Sequence, residues 1–393
     1  MPLDYRMYDA DNHLYESADA FTRHLPDHRR HDFYWTTDDR GHRHVILAGK
    51  IFDYLPNPTF DPIAVAGCLL DVFKGEKSML ETKNTAYQFE PLADRPEYQQ
   101  RVPRVHRMDE QGVEASLVFP TMVSGLEEAT GNDVDLTMDL LWSFNRWLEE
   151  DWGFAYQDRL FATPVISLAD AHESVRMLEW ALERGCRAVM VRPSPVPTRM
   201  GMRSPADPMF DPFWARCQEA QVLVCGHLSA SGYHRYSGDW TGVYEFAPHR
   251  PQGPFASIST YARATMDFFT AMVVQGAATR FPRLRLLSVE NGSDWVHWII
   301  ERFKVEYQRY PGSFPEEPVG AFERCVWVVP YWEEPINDLT TYVPVERILA
   351  GSDFPHSDGL PEPTQFAKAL DQFSDADVRR IMRDNLRSLL VAH

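Results

Sequence analysis

The chain has 393 residues, with 39 basic and 57 acidic side chains and a formal net charge of −18. That balance, with no long Lys/Arg run, excludes nucleic acid and anionic membrane as expected partners, because both reward clustered cations. The opening MPLDYRMYDADNH has no apolar signal core, and no apolar run reaches the roughly 20 residues of a membrane span, so a cytoplasmic enzyme acting on a small molecule is expected.

Eight short runs rich in Val, Ile and Leu recur along the chain, at residues 6–13, 113–120, 160–167, 186–193, 222–227, 284–290, 325–331 and 347–353. Near-continuous apolar runs of this length suit parallel strands buried on both faces. Helical patterns fill most gaps. Residues 133–152 carry Leu136, Leu140, Leu141, Phe144 and Leu148 at helical spacing, and residues 169–184 have an acidic first turn with Gly185 just past their end. Residues 293–309 and 375–391 read the same way. Strand–helix alternation repeated eight times predicts an α/β fold, a (β/α)₈ TIM barrel occupying residues 1–393 as a single domain. An open doubly wound sheet is the competing topology, but no GxGxxG follows the first strand. Two segments break the rhythm: a long insertion after strand one, residues 14–101, with a hairpin expected around 42–52, and an extended loop after strand five, residues 228–259. Both follow strand C-termini, which places them on the catalytic face as pocket covers. Cys68, Cys186, Cys217, Cys225 and Cys325 have no CxxC spacing and read as small hydrophobes without disulfides.

Candidate chemistry collects at the predicted strand ends, where barrels assemble their sites. Strand one ends in Asp9-Ala10-Asp11-Asn12-His13, and period-two alternation puts Asp9, Asp11 and His13 on one face. Strand five ends at His227, strand six at Glu290 and strand eight at Asp353, with His356 just beyond. Each alone is a common helix cap or core residue, but their joint placement points to one divalent cation. Mixed N and O donors suit Zn²⁺ first, with Mn²⁺ or Fe²⁺ as alternatives. Burying Asp11 and Asp353 together without a cation would force one to take a proton. Phe119, Tyr331 and Trp332 are expected to wall an aromatic pocket, and Trp295 to pack beneath it. Arg192, at the end of strand four, is a candidate substrate cation, and His356 a candidate substrate contact or a support for Asp353; His234 is a lid residue and Glu16 a support for the ligand cluster.

Four segments, DADNHLYE at 9–16, GHLS at 226–229, SVENGSDW at 288–295 and GSDFPHSDG at 351–359, resemble the amidohydrolase superfamily. The resemblance lies in its branch containing aminocarboxymuconate-semialdehyde decarboxylase and related decarboxylases and hydrolases. It runs from Asp9 to about Asn385, apart from the two insertions. It implies metal ligands at Asp11, His13, His227 and Asp353, with Asp11 in place of the first His of the family's HxH. It also implies catalytic roles for Asp353, His227 and Glu290, the last replacing the family's strand-six His. The strand-four region reads MVRPSP without the lysine of binuclear relatives, so one metal is expected.

The leading expectation is a hydrolase that uses a metal-activated water on a cyclic or aromatic substrate, with Asp353 handling the proton. The alternative is a nonoxidative decarboxylase of an aromatic or unsaturated acid, with Arg192 near the substrate carboxylate. A hydratase and a non-catalytic binding barrel are weaker options. A homodimer is expected from the prevalence of that state.

Overall fold

The computed structural model describes residues 3–82, 85–244, 253–260 and 262–391. Strand β1 (Met7–Asp9) pairs in parallel with β2 (Val113–Pro120), and β2 with β3 (Leu160–Ala162). A bridge between Val165 and Met190 leads to β4 (Ala188–Val191). Parallel ladders continue through β5 (Leu223–His227), β6 (Arg285–Val289) and β7 (Val326–Val328). The eighth segment is joined on both sides by bridges, Val328 to Ile348 and Asn12 to Phe354, and Ala10 N–H donates to the Ala350 carbonyl at 2.9 Å. The sheet therefore closes into the expected TIM barrel. Every residue of β4 and β5 is buried, as is β2 apart from Glu114, which accounts for apolar runs without alternation.

The first and eighth strands depart from regular ladders for one shared reason. The buried Asp9 carboxylate accepts from the Asp11 and Ser352 N–H groups and from Ser352 Oγ and Asn12 Nδ2. A side chain that satisfies backbone donors replaces ladder bonds. Strand one breaks after Asp9 and resumes as a short piece, His13–Leu14, paired with β2. Asp9 thus ties strands one and eight together, while Asp11 and His13 alone turn to the site, which corrects the simple alternation.

The helical expectations hold closely. The helix Val134–Asp151 is capped by Asp133, whose side chain accepts from Leu136 N–H, and it buries Leu136, Leu140, Leu141, Phe144 and Leu148. Asp170 caps Ala171–Leu182 the same way. The helix Arg101–Gln111 leads into β2 and contributes Arg104 to the interior.

Within residues 14–101 the expected hairpin is present as Arg43–Leu47 against Lys50–Ile51, joined by a third antiparallel strand, Phe33–Thr37. A second small sheet pairs Ile63–Ala64 with Phe89–Glu90, and a short helix spans Leu70–Phe73. Gly67 and Leu69 donate backbone bonds to the carbonyls of His356 and Ser357, which docks this segment on the loop after the eighth strand. The loop after β5 carries helices His234–Thr241 and Pro254–Thr260. Positions 83–84 of the first long segment and 245–252 of the second lie outside the described residues. All five cysteines are free, and no described helix is long and apolar enough to cross a membrane.

Candidate metal centre

The strand-one donors are held from behind by a buried guanidinium. Arg104 donates from Nε to the Glu97 carbonyl at 2.7 Å, from Nη2 to the His13 carbonyl at 2.8 Å and from Nη1 to Asn12 Oδ1. Burial lowers its pKa to about 10, so it stays charged at neutral pH. The His227 ring is oriented by its own neighbourhood: Nδ1 donates to the Leu228 carbonyl at 2.9 Å, which leaves the Nε2 lone pair facing the site. Phe119, fully buried, packs 4.5 Å from the His227 ring and 6.1 Å from the His13 ring. It braces the imidazoles from behind instead of walling the pocket.

Glu290 and Asp353 both have φ of +56°, a left-handed conformation that non-glycine residues adopt at a cost and that concentrates at functional sites. Each sits where a strand ends and the chain must turn at once. Tyr331 Oη donates to the Glu290 carbonyl at 2.9 Å, and Asp353 N–H to the Asp11 carbonyl at 2.8 Å, holding these turns in place. Gly351 packs so close to Asp11 that a Cβ there would fall 2.6 Å from the Asp11 Cβ.

Four distant strand ends therefore converge. His13 Nε2 lies 3.3 Å from Asp11 Oδ1, 3.3 Å from Asp353 Oδ1 and 3.5 Å from Glu290 Oε2. His227 Nε2 lies 3.2 Å from Glu290 Oε2 and 3.8 Å from Asp11 Oδ1. Donors about 2.0–2.3 Å from one ion stand roughly 3–4 Å from each other, as these do. Two overlapping sets could hold a metal: Asp11, His13, His227 and Glu290, and His13, Glu290, Asp353 and His356, each with its donor atoms within 4.8 Å of one another. Asp11 Oδ1, His13 Nε2 and His227 Nε2 are buried and make no hydrogen bond, and buried Asp353 Oδ1 is met by His356 Nδ1 at 2.7 Å. Buried polar atoms without partners are costly, and a cation at the centre would satisfy the first three and engage Asp353 as well.

The electrostatics agree. Burial, with His356 nearby, lowers the His13 pKa to about 4, so its imidazole is neutral and free to donate a lone pair. Against its burial, Asp11 is held below the usual carboxylate range by His13 and His227. Glu290 is pushed up to about 7 by burial, with Asp11 adding to the effect and His227 opposing it. Asp353 is raised well above its usual value by burial and by Glu290. Three crowded carboxyls that cannot all ionise comfortably mark a place for positive charge.

Asp11, Glu290 and Asp353 open onto a cavity of about 340 Å³ that Tyr331 and Trp332 also line, with Leu228, Val329 and Pro330. His356 stands beside it, its Nδ1 2.7 Å from Asp353 Oδ1. Trp295 lies beneath, stacked 5.2 Å from Phe269 and donating to the Gly292 carbonyl. Glu16 is buried and accepts from Val123 N–H at 3.1 Å, with its pKa raised to about 7 by burial. Arg192 is not brought to the cluster: it is engaged by Glu128 and by the Ala230 carbonyl, in a group with Arg235 and His234. A larger groove, of about 590 Å³ around Trp142 and Trp180, contains none of the cluster residues.

Sequence reasoning gave Glu290 a catalytic role, as a second base or in holding the substrate, and His356 a substrate contact; both also stand among the potential donors. It also missed Phe73, Glu333 and Asp358 in the cavity lining. Asp358 and Glu333 lie within two or three residues of positions already singled out; Phe73 comes from the long insertion and carried no signal.

Comparison with known proteins extends this picture. The family model described as Amidohydrolase matches residues 8–390. A crystal structure of an amidohydrolase from Mycobacterium avium subsp. paratuberculosis K-10 is similar, with 41% identity, a TM-score of 0.94, and coverage of 100% of this chain and 99% of that one. The fold is shared with 5-carboxyvanillate decarboxylase from Sphingomonas paucimobilis, at 15% identity and TM-score 0.61 over 98% and 99% of the two chains. It is also shared with a dihydroxybenzoic acid decarboxylase from Polaromonas sp. JS666 with bound manganese and 2-nitroresorcinol, at 14% identity and TM-score 0.60 over 98% and 97%. No curated protein matches.

Proposed function

The chain belongs to the amidohydrolase family of metal-dependent hydrolases and carboxy-lyases, and from that premise we propose that it hydrolyses a small cyclic or aromatic substrate with one divalent ion. The observation that carries this reading is the convergence of buried donors beside the aromatic-walled cavity, three of them without hydrogen-bond partners. Asp11, His13 and His227 would hold the ion, with Asp353 or Glu290 completing the set. Bound there, it would supply Lewis acidity toward an acyl oxygen and acidify water. Asp353, with His356 at 2.7 Å, takes the proton of the attacking water and delivers it to the leaving group. Tyr331 and Trp332 position the ring, and the buried site limits access of bulk water.

The decarboxylase alternative needs a cation for the substrate carboxylate, and Arg192 is occupied by Glu128. The hydrolase reading is therefore favoured. Zn²⁺ is the first expectation for the metal, with Mn²⁺, as bound in the Polaromonas structure, and Fe²⁺ next. Residues 1–393 are read as one barrel domain with 14–101 as its cover, working as a cytoplasmic homodimer; light scattering checks the last point.

Elemental analysis tests the centre: about one equivalent of transition metal in the parent, largely lost in His227→Ala and in Asp353→Ala. Esters, amides and cyclic diketones assayed beside hydroxybenzoates test the reaction. Release of CO₂ without incorporation of solvent oxygen would reject hydrolysis, and a metal-free but fully active parent would reject the centre.

A further inference from the structure

The cavity above the candidate metal centre is lined by five carboxyl side chains. Asp11, Glu290 and Asp353 form its floor, while Asp358 and the exposed Glu333 stand toward its mouth. Among the described residues no Lys or Arg lines it. A divalent ion offsets two of these charges and leaves the cavity acidic. Glu333 and Asp358 are not needed for the ion: neither belongs to the potential donor sets. Both line the space a substrate must occupy; burial pushes Glu333 up to about 7, and a cationic group beside it would favour its ionised form.

Two further features bear on what that space accepts. Asp11, only 3% exposed, lines the same cavity from within the donor set and keeps its floor anionic. Trp332, a wall of the cavity, already carries an ammonium group: Lys74 Nζ stands 5.3 Å from its ring centroid. Tryptophan is the best aromatic partner for a cation, and Lys74 is an exposed side chain that a ligand could displace. An anionic ligand would meet like charge at the mouth before reaching the ion, whereas a cationic one would gain both carboxylates and the indole face.

We propose that this pocket selects substrates bearing a cationic amine, amidine or guanidine group, with Glu333 and Asp358 as the recognising carboxylates and Trp332 as the aromatic platform. The inference rests on the hydrolytic reading of the same pocket and narrows its substrate class. The reacting group sits at the floor and the cationic end at the mouth. Free aromatic carboxylates are disfavoured.

Binding of three probes that share one ring tests this: benzylamine, charged at pH 7.5, benzyl alcohol and benzoate, titrated calorimetrically into the metal-loaded protein. Benzylammonium is expected to bind about tenfold tighter than benzyl alcohol, and benzoate weaker than either. Glu333→Gln and Asp358→Asn, made separately, should each reduce the benzylammonium advantage about threefold while the alcohol's affinity holds. Tighter binding of benzoate, a preference that survives both substitutions, or no binding of any probe overturns the proposal. Because these probes do not react, such a result leaves the hydrolase reading standing if metal content and hydrolysis are intact. Loss of that reading would instead show as absent metal or CO₂ release, whatever the probes do.

Discussion

Substituting Gly351 by Ala should displace Asp11 and weaken metal binding while leaving the barrel folded. A Cβ at position 351 would fall 2.6 Å from Asp11 Cβ, 2.6 Å from Val329 Cγ1 and 3.3 Å from Asp11 N. Carbon atoms in contact prefer about 3.5 Å or more, so roughly 1 Å must be found by moving strand one or Val329. Overpacking of that kind costs about 1–3 kcal/mol. Ligand sets tolerate only about 0.5 Å of misplacement, so metal affinity should fall about 10–100-fold, as it does when other supports of a ligand are disturbed. Competition with a fluorescent chelator measures the affinity and urea denaturation the stability. Gly226→Ala is the control, because its Cβ would meet Phe269, Phe268 and the Leu287 carbonyl at 3.6 Å or more, ordinary contact distances. If Gly351→Ala holds metal as tightly as the parent, the close approach of strand eight does not position Asp11 and the reasoning is wrong.

Arg104→Met should cost about 3 kcal/mol or more, since it strands two carbonyls and Asn12 Oδ1 in the interior; Arg104→Lys should recover little, and metal content should fall in both. Arg192→Met should destabilise by about 1–2 kcal/mol, because Glu128 loses one guanidinium but keeps Arg235 and the Ala230 carbonyl loses its donor, without raising KM; a raised KM at unchanged stability would return Arg192 to substrate binding. Glu16, held up at about 7 against an ordinary 4.5, is protonated more readily in the folded state than in the unfolded one. Its penalty is absent below about pH 4.5 and complete above about pH 7. The stability difference between Glu16→Gln and the parent should therefore tilt toward the variant by up to about 3 kcal/mol as pH rises through that window; a flat difference would place the Glu16 proton elsewhere.

How much of the site was legible follows from the kind of signal each residue carries. Asp11, His13, His227 and Asp353 stand at the ends of apolar runs, and in a barrel all such ends share one rim. Their approach could be argued from topology before any coordinates. Glu290 shows the limit: its position at a strand end was readable, but the left-handed turn that brings Oε2 to 3.2 Å from His227 Nε2 depends on backbone geometry. Arg192 shows the opposite failure. It too ends a strand, yet Glu128, 64 residues earlier in the chain, captures it, and no local pattern records such a pairing.

The closed parallel barrel and the rim on which its chemistry gathers were set by sequence alone, because strands buried on both faces must be near-continuous apolar runs, and their recurrence between helical patterns is written in local residues. Tertiary structure decided which of the rim residues point at a common centre, that Asp9 stitches strands one and eight instead of joining it, and that the pocket above is acidic. Those outcomes depend on side chains far apart in the chain competing for the same few ångströms, and a competition of that kind leaves no periodic trace.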